Sequence, residues 1–157
     1  MDRKILEFED QFMDCTRQMD DLYARFAKSN GLTYMSLLVL DCICDRPAGC
    51  TQKEICEVTF YSKQSVNLIV KKFLEQGFVR LEEIPEDRRN KRITLTEKGR
   101  AWADATIFRF WDAEERAMAA LTEEERTLFL QTMRRFVAGL TENVEALLQA
   151  GPAAGDA

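Results

Sequence analysis

Histidine is missing altogether from the 157 residues. Without an imidazole, a serine or cysteine nucleophile lacks its usual base near neutral pH, and a zinc site would have to rely on thiolates and carboxylates. No Gly-rich phosphate loop occurs among the seven glycines, so an enzyme is not expected. No run of about 18 uncharged apolar residues exists, which excludes a membrane-spanning helix. Met1-Asp2-Arg3-Lys4 has charge but no apolar segment behind it, unlike a signal peptide, and a cytoplasmic protein is expected. The cysteines Cys15, Cys42, Cys44, Cys50 and Cys56 are odd in number and contain no Cys-x-x-Cys pair. Neither a disulfide framework nor a metal site is expected, and no cofactor is implied.

Net charge is -5, which at first argues against a polyanionic partner. The charge is unevenly spread. Residues 61–100 hold 10 Lys+Arg against 6 Asp+Glu, a balance of +4, and the remainder holds 12 against 21, a balance of -9. Salt screens charges beyond about 10 Å, so the local field matters more than the total. Charge runs are often no more than solvated faces, and the patch acquires meaning only from the motifs within it.

Residues 51–99 are the most legible stretch. Thr51-Gln52-Lys53-Glu54 is a capping-box start to a short helix expected to turn Ile55 and Val58 inward and to end near Thr59-Phe60. Ser62 reads as the next N-cap. Val66, Ile69, Val70, Phe73 and Leu74 then recur at helical spacing, with Lys63, Gln64, Asn67 and Lys71 on the opposite face and Gly77 at the close. Two short helices, the second with an amide-and-lysine face, form a helix-turn-helix. Amides suit adenine edges, Ser62 and Ser65 suit base or phosphate, and lysines suit phosphate. Residues 78–84 and 92–96 read as strands joined by the polar loop Pro85-Glu86-Asp87-Arg88-Arg89-Asn90-Lys91. A basic hairpin beside such a helix is a wing, whose arginine can enter an electronegative minor groove.

The run from Asp87 through Arg89 to Leu95-Thr96-Glu97-Lys98-Gly99 resembles the wing signature of the MarR (multiple-antibiotic-resistance regulator) family. Gly31-Leu32-Thr33, Thr51-Gln52-x-Glu54 and Ser62-Lys63-x-Ser65-Val66 match in the same order, and the resemblance covers roughly residues 5 to 148. It implies a mainly α fold with a small β-hairpin wing, a winged helix-turn-helix flanked by N- and C-terminal dimerisation helices. It also implies a homodimeric, DNA-binding transcription regulator, most often a repressor. Ser62, Lys63, Gln64, Ser65, Asn67, Lys71, Arg88, Arg89 and Lys91 would contact DNA, and Asp87 would orient Arg89. Many family members carry arginine where this chain has Leu68, a side chain able either to meet a thymine methyl or to pack inward.

The flanks suit that architecture. Ile5, Phe8, Phe12, Cys15, Met19, Leu22 and Phe26 form one stripe along a helix over residues 4–28, about 32 Å long. Burying it contributes on the order of 10–20 kcal/mol before ordering entropy. Thr33 caps a helix, apolar nearly all round, that should be central. Thr96 is expected to cap one helix from Glu97 to Ala120 with Ala101, Ala105, Phe108 and Trp111 inward. Thr122 with Glu125 opens a last helix whose Phe129, Met133, Phe136, Leu140, Val144 and Leu147 make a second seam. The expected organisation is a dimerisation helix over 1–30, a winged domain over 31–99, dimerisation helices over 100–149 and a disordered tail over 150–157.

Regulation follows only from the resemblance. A small aromatic or anionic effector in a cleft would meet Tyr23, Tyr34, Met35, Trp102 and Phe108, although aromatics at helical spacing are commonly core. Cys15 offers a redox alternative, which its place on an apolar stripe argues against. A winged-helix adapter without DNA binding is the third reading, favoured by the acidic total and by Leu68.

Overall fold

In the computed structural model the described residues are 2–85 and 87–151, with the backbone alone at residue 88. The chain divides into two compact units, Met1–Phe110 and Trp111–Ala157.

The first unit opens with α1 (Arg3–Ser29), capped by the Asp2 carboxylate and ended at Asn30. Gly31 follows at φ +70°. Thr33 caps α2 (Tyr34–Cys44), where Leu37, Val39, Leu40, Cys42 and Ile43 are buried together with the helix's last residue, Cys44. An all-round apolar helix can be satisfied only at the centre of a core, and α2 sits there, touching α1, α3 and α4. A short strand β1 (Cys50–Thr51) leads into α3 (Gln52–Thr59), and the Thr51–Glu54 capping box forms as expected. Ser62 caps α4 (Lys63–Glu75), which buries Val66, Val70 and Phe73.

Strands β2 (Val79–Ile84) and β3 (Asp87–Leu95) pair antiparallel, and β1 adds to the other side of β3 in the order β1-β3-β2. Sequence pattern does not reveal β1, since two residues carry no periodicity. Its approach depends on Gly49, which stands at φ +86°, where a Cβ would lie 2.6 Å from the Arg92 side chain.

Three expectations are corrected. Val58 points outward, 51% exposed, because α3 is short enough for Ile55 alone to anchor it. Residues 87–91, expected in a loop, belong to β3, since backbone pairing tolerates polar side chains on an exposed ribbon. The helix expected over 97–120 is two, α5 (Glu97–Ala105) and α6 (Ile107–Ala119). The break falls at Thr106, whose ψ of -86° leaves the helical region and whose hydroxyl donates to the Trp102 carbonyl at 2.7 Å. The inward set therefore becomes Ala103, Thr106 and Ile107, with Ala101 and Ala105 exposed.

In the second unit, reached through α6, Thr122 and Glu125 complete a capping box for α7 (Glu123–Ala150). Acids in its first turn complement the positive end of the helix dipole. No residue of α7 is buried. The tail expected over 150–157 lies, from residue 152 onward, outside the described residues.

Candidate nucleic-acid interface

The orientation of α4 follows from its apolar face. With Val66, Val70 and Phe73 held in the core, Lys63, Gln64, Asn67, Leu68 and Lys71 are exposed. At the N-terminus, Ser62 Oγ accepts from the Ser65 amide at 3.1 Å, and the two hydroxyls lie 2.9 Å apart. The serines thus serve the helix start, with Ser65 half-buried and Ser62 exposed. Leu68 is 61% exposed on this otherwise polar face and does not pack inward.

A cleft of about 500 Å³ lies between this face, α3 and the wing. Its lining includes Lys53, Lys63, Arg89 and Lys91, four cations, with Gln52 and Asn67 between them and no carboxylate among the described lining residues. Asn67 Nδ2 donates to Gln52 Oε1 at 3.4 Å and links the two helices' polar faces. The ion pairs made by Lys53 with Glu57 at 3.7 Å and by Lys71 with Glu75 at 3.9 Å are solvent-exposed one-turn pairs, which a stronger anion can displace at little cost. Such a surface has the groups to neutralise and hydrogen-bond a polyanion.

The wing has a definite local order. Lys91 pairs with Glu83 and Asp87 with Ile84, so Arg88, Arg89 and Asn90 have no Cα partner on β2 and form a bulge. The Asp87 carboxylate holds it, accepting from Asn90 Nδ2 at 2.7 Å and from the Arg89 amide at 3.1 Å. The Asn90 side-chain hydrogen bond, with the backbone ones and the charge of Lys53, pushes the Asp87 carboxyl below its usual range. Asp87 therefore acts on the backbone of Arg89, whose side chain is exposed. The Arg88 side chain lies outside the described residues.

Gln52, Lys53, Cys56, Leu81 and Asn90 join the cleft without having been singled out in the sequence. The α3 residues were readable in principle: with Ile55 inward, positions 52, 53 and 56 fall on its other faces.

The five residues expected to line an effector cleft separate into different surroundings. Tyr23 meets Tyr34 edge-on at 5.9 Å and Phe110 at 4.7 Å. The Tyr34 hydroxyl donates to Asp20 at 3.1 Å, and burial followed by this carboxylate raises its pKa. Trp102 instead stacks on Phe78 at 4.0 Å and meets Phe73 at 5.4 Å. Met35 and Phe108 are half-buried. Cys15 is exposed on α1.

Helix-turn-helix, third strand and bulged basic hairpin together define a winged-helix protein. Residues 30–90 match the model of the MarR family. The transcriptional regulator HosA of Escherichia coli O111:H- is 28% identical over 106 residues, 68% of this chain and 78% of that protein. Sco3205, a MarR family transcriptional regulator from Streptomyces coelicolor solved in complex with DNA, superposes with a TM-score of 0.73 at 19% identity, covering 89% of both chains. The S. aureus MepR–DNA complex gives 0.66 at 18% identity, over 85% of this chain and 97% of that one; at these identities the likeness concerns the fold. The chain is thus similar to the MarR family over residues 30–90 and to the transcriptional regulator HosA, and it shares the winged-helix fold of solved MarR family regulators.

Proposed function

We propose that this protein is a dimeric repressor that reads a pseudo-palindromic operator, with α4 in the major groove and the wing in the minor groove, and is released by a small effector. The observation that carries the reading is the convergence of Lys53, Lys63, Arg89 and Lys91 with the amides of Gln52 and Asn67 around one cleft. Lys63, Gln64, Asn67 and Lys71 supply base-edge and phosphate contacts, Ser62 and Ser65 set the helix start, and Arg88, Arg89 and Lys91 serve the wing. Two copies about a two-fold axis would present their α4 helices about one DNA turn apart, roughly 34 Å. The Tyr23–Tyr34 pair, polar at one end through Asp20, suits a small aromatic effector better than does Trp102, which is engaged by Phe73 and Phe78.

A mobility-shift titration against the duplex upstream of the protein's own gene, at several salt concentrations, tests the reading. The wild type should bind with a steep salt dependence, and Arg89→Ala should weaken binding and flatten the slope by about one charge per site. Unchanged affinity and slope in Arg89→Ala would remove the wing, and no binding at low salt would remove the DNA reading.

A further inference from the structure

We infer that Leu68 is a specificity-determining residue that seats against the C5-methyl group of a thymine in each half-site. The inference rests on the DNA reading above and assigns it a base. The residues held in the core, Val66, Val70 and Phe73, fix the rotation of α4. At about 100° per residue, the direction opposite their mean carries Gln64, Leu68 one turn on and Glu75 at the helix's far end, with Lys71 beside them. Leu68 is thus at the outward pole of the helix, 61% exposed, flanked by amide and ammonium groups.

A single exposed leucine on a protein surface is ordinary. Its setting here is not, for it stands in the middle of an otherwise polar face, between Gln64 and Lys71, side chains suited to base edges and phosphate. In the major groove the base edges present hydrogen-bond donors and acceptors, and beside the small cytosine C5–H the thymine methyl is the one apolar group that projects into the groove. A leucine at the pole of an inserted helix would leave the donors and acceptors of other base edges desolvated without a partner, and thymine returns the largest apolar contact. Gln64, one turn toward the N-terminus, can pair with an adjacent adenine edge. The inference is therefore a thymine within reach of Leu68.

The test selects duplexes from a randomised library with the full-length protein at low salt, then replaces each thymine of the selected site by uracil, which removes only the methyl. For the wild type, one uracil position per half-site should weaken binding about three- to fivefold. Leu68→Ala should lose a similar factor on the thymine duplex and become indifferent to uracil there. Because the wild-type arm changes only the DNA, a folding defect in the variant cannot imitate the result. A selected site whose uracil substitutions are all neutral, or whose penalties persist unchanged in Leu68→Ala, overturns the inference while leaving the DNA reading standing. Failure to enrich any duplex overturns both.

Discussion

A Cβ built on Gly99 would lie 1.8 Å from the carbonyl oxygen of Phe78. The first turn of α5 therefore rests on the backbone where α4 passes into β2, with no room for a side chain. Thr96 fastens the same joint: its hydroxyl donates to the Gly77 carbonyl at 2.7 Å and accepts from the Gly99 amide at 2.9 Å. The Leu-Thr-x-x-Gly run thus locks the wing's last strand to the end of α4. Gly99→Ala must displace backbone, and should cost about 3 kcal/mol or more, lowering the thermal midpoint by roughly 6–12 °C. A melting curve within 2 °C or so of the wild type would show that the joint yields freely.

Asp87 offers a test of sign. As a carboxylate beside a cationic surface it should repel phosphate, so its removal would tighten DNA binding if charge were all it supplied. As the acceptor for Asn90 and the Arg89 amide it orders the bulge, and its removal would loosen binding. We expect Asp87→Ala to weaken binding about three- to tenfold, with Asp87→Asn, which keeps an acceptor, in between. Tighter binding by Asp87→Ala would assign the residue to electrostatics alone.

These joints show what the sequence could and could not disclose. Caps are local: Thr33, Thr51, Ser62, Thr96 and Thr122 each accept from an amide three residues on, and each was readable from its own window. The face of α4 was readable because three core residues recur at a single period. The break at Thr106 was not, since a helix kink decided by a hydroxyl and by packing leaves no glycine or proline signal. Nor was β1, whose pairing of Cys50 with Ile93 and Thr51 with Arg92 spans some forty residues. The wing's turn chemistry was visible, but its bulge depends on register across two strands, a relation no single window contains.

The buried cysteines set an alkaline limit. Burial pushes the Cys44 and Cys50 thiols up to about 12 from an unfolded value of 9.0. Between those values the unfolded chain has lost its thiol protons and the folded chain has kept them. The stabilisation is thus fully present below pH 9 and declines as pH rises towards 12. Midpoints measured from pH 7 to 11 should hold until about 9 and then fall, and Cys50→Ser should flatten the decline by about one thiol's share. A midpoint constant to pH 11 would contradict it.

The apolar seams make the last prediction. Ile5, Phe8, Met19 and Leu22 on α1 are exposed in the single chain, as are Phe129, Phe136, Leu140, Val144 and Leu147 on α7. Faces this long and continuous are not left in water by a stable monomer, and a two-fold dimer covers like with like. By that symmetry a substitution at a seam acts twice. Leu140→Glu should place two uncompensated carboxylates in the interface and shift sedimentation from a dimer towards the 18.1 kDa monomer. Under the proposed reading of two half-sites together, the same change should weaken operator binding more than a hundredfold while each copy keeps its affinity for a single half-site. Cys15 supplies an independent readout on α1: exposed in the single chain, it should react slowly with a thiol reagent in the dimer and quickly at dilutions where the dimer dissociates. A wild-type protein that sediments as a monomer at micromolar concentration, with Cys15 labelling at one rate throughout, would leave both seams without an occupant and the paired reading of DNA without a basis.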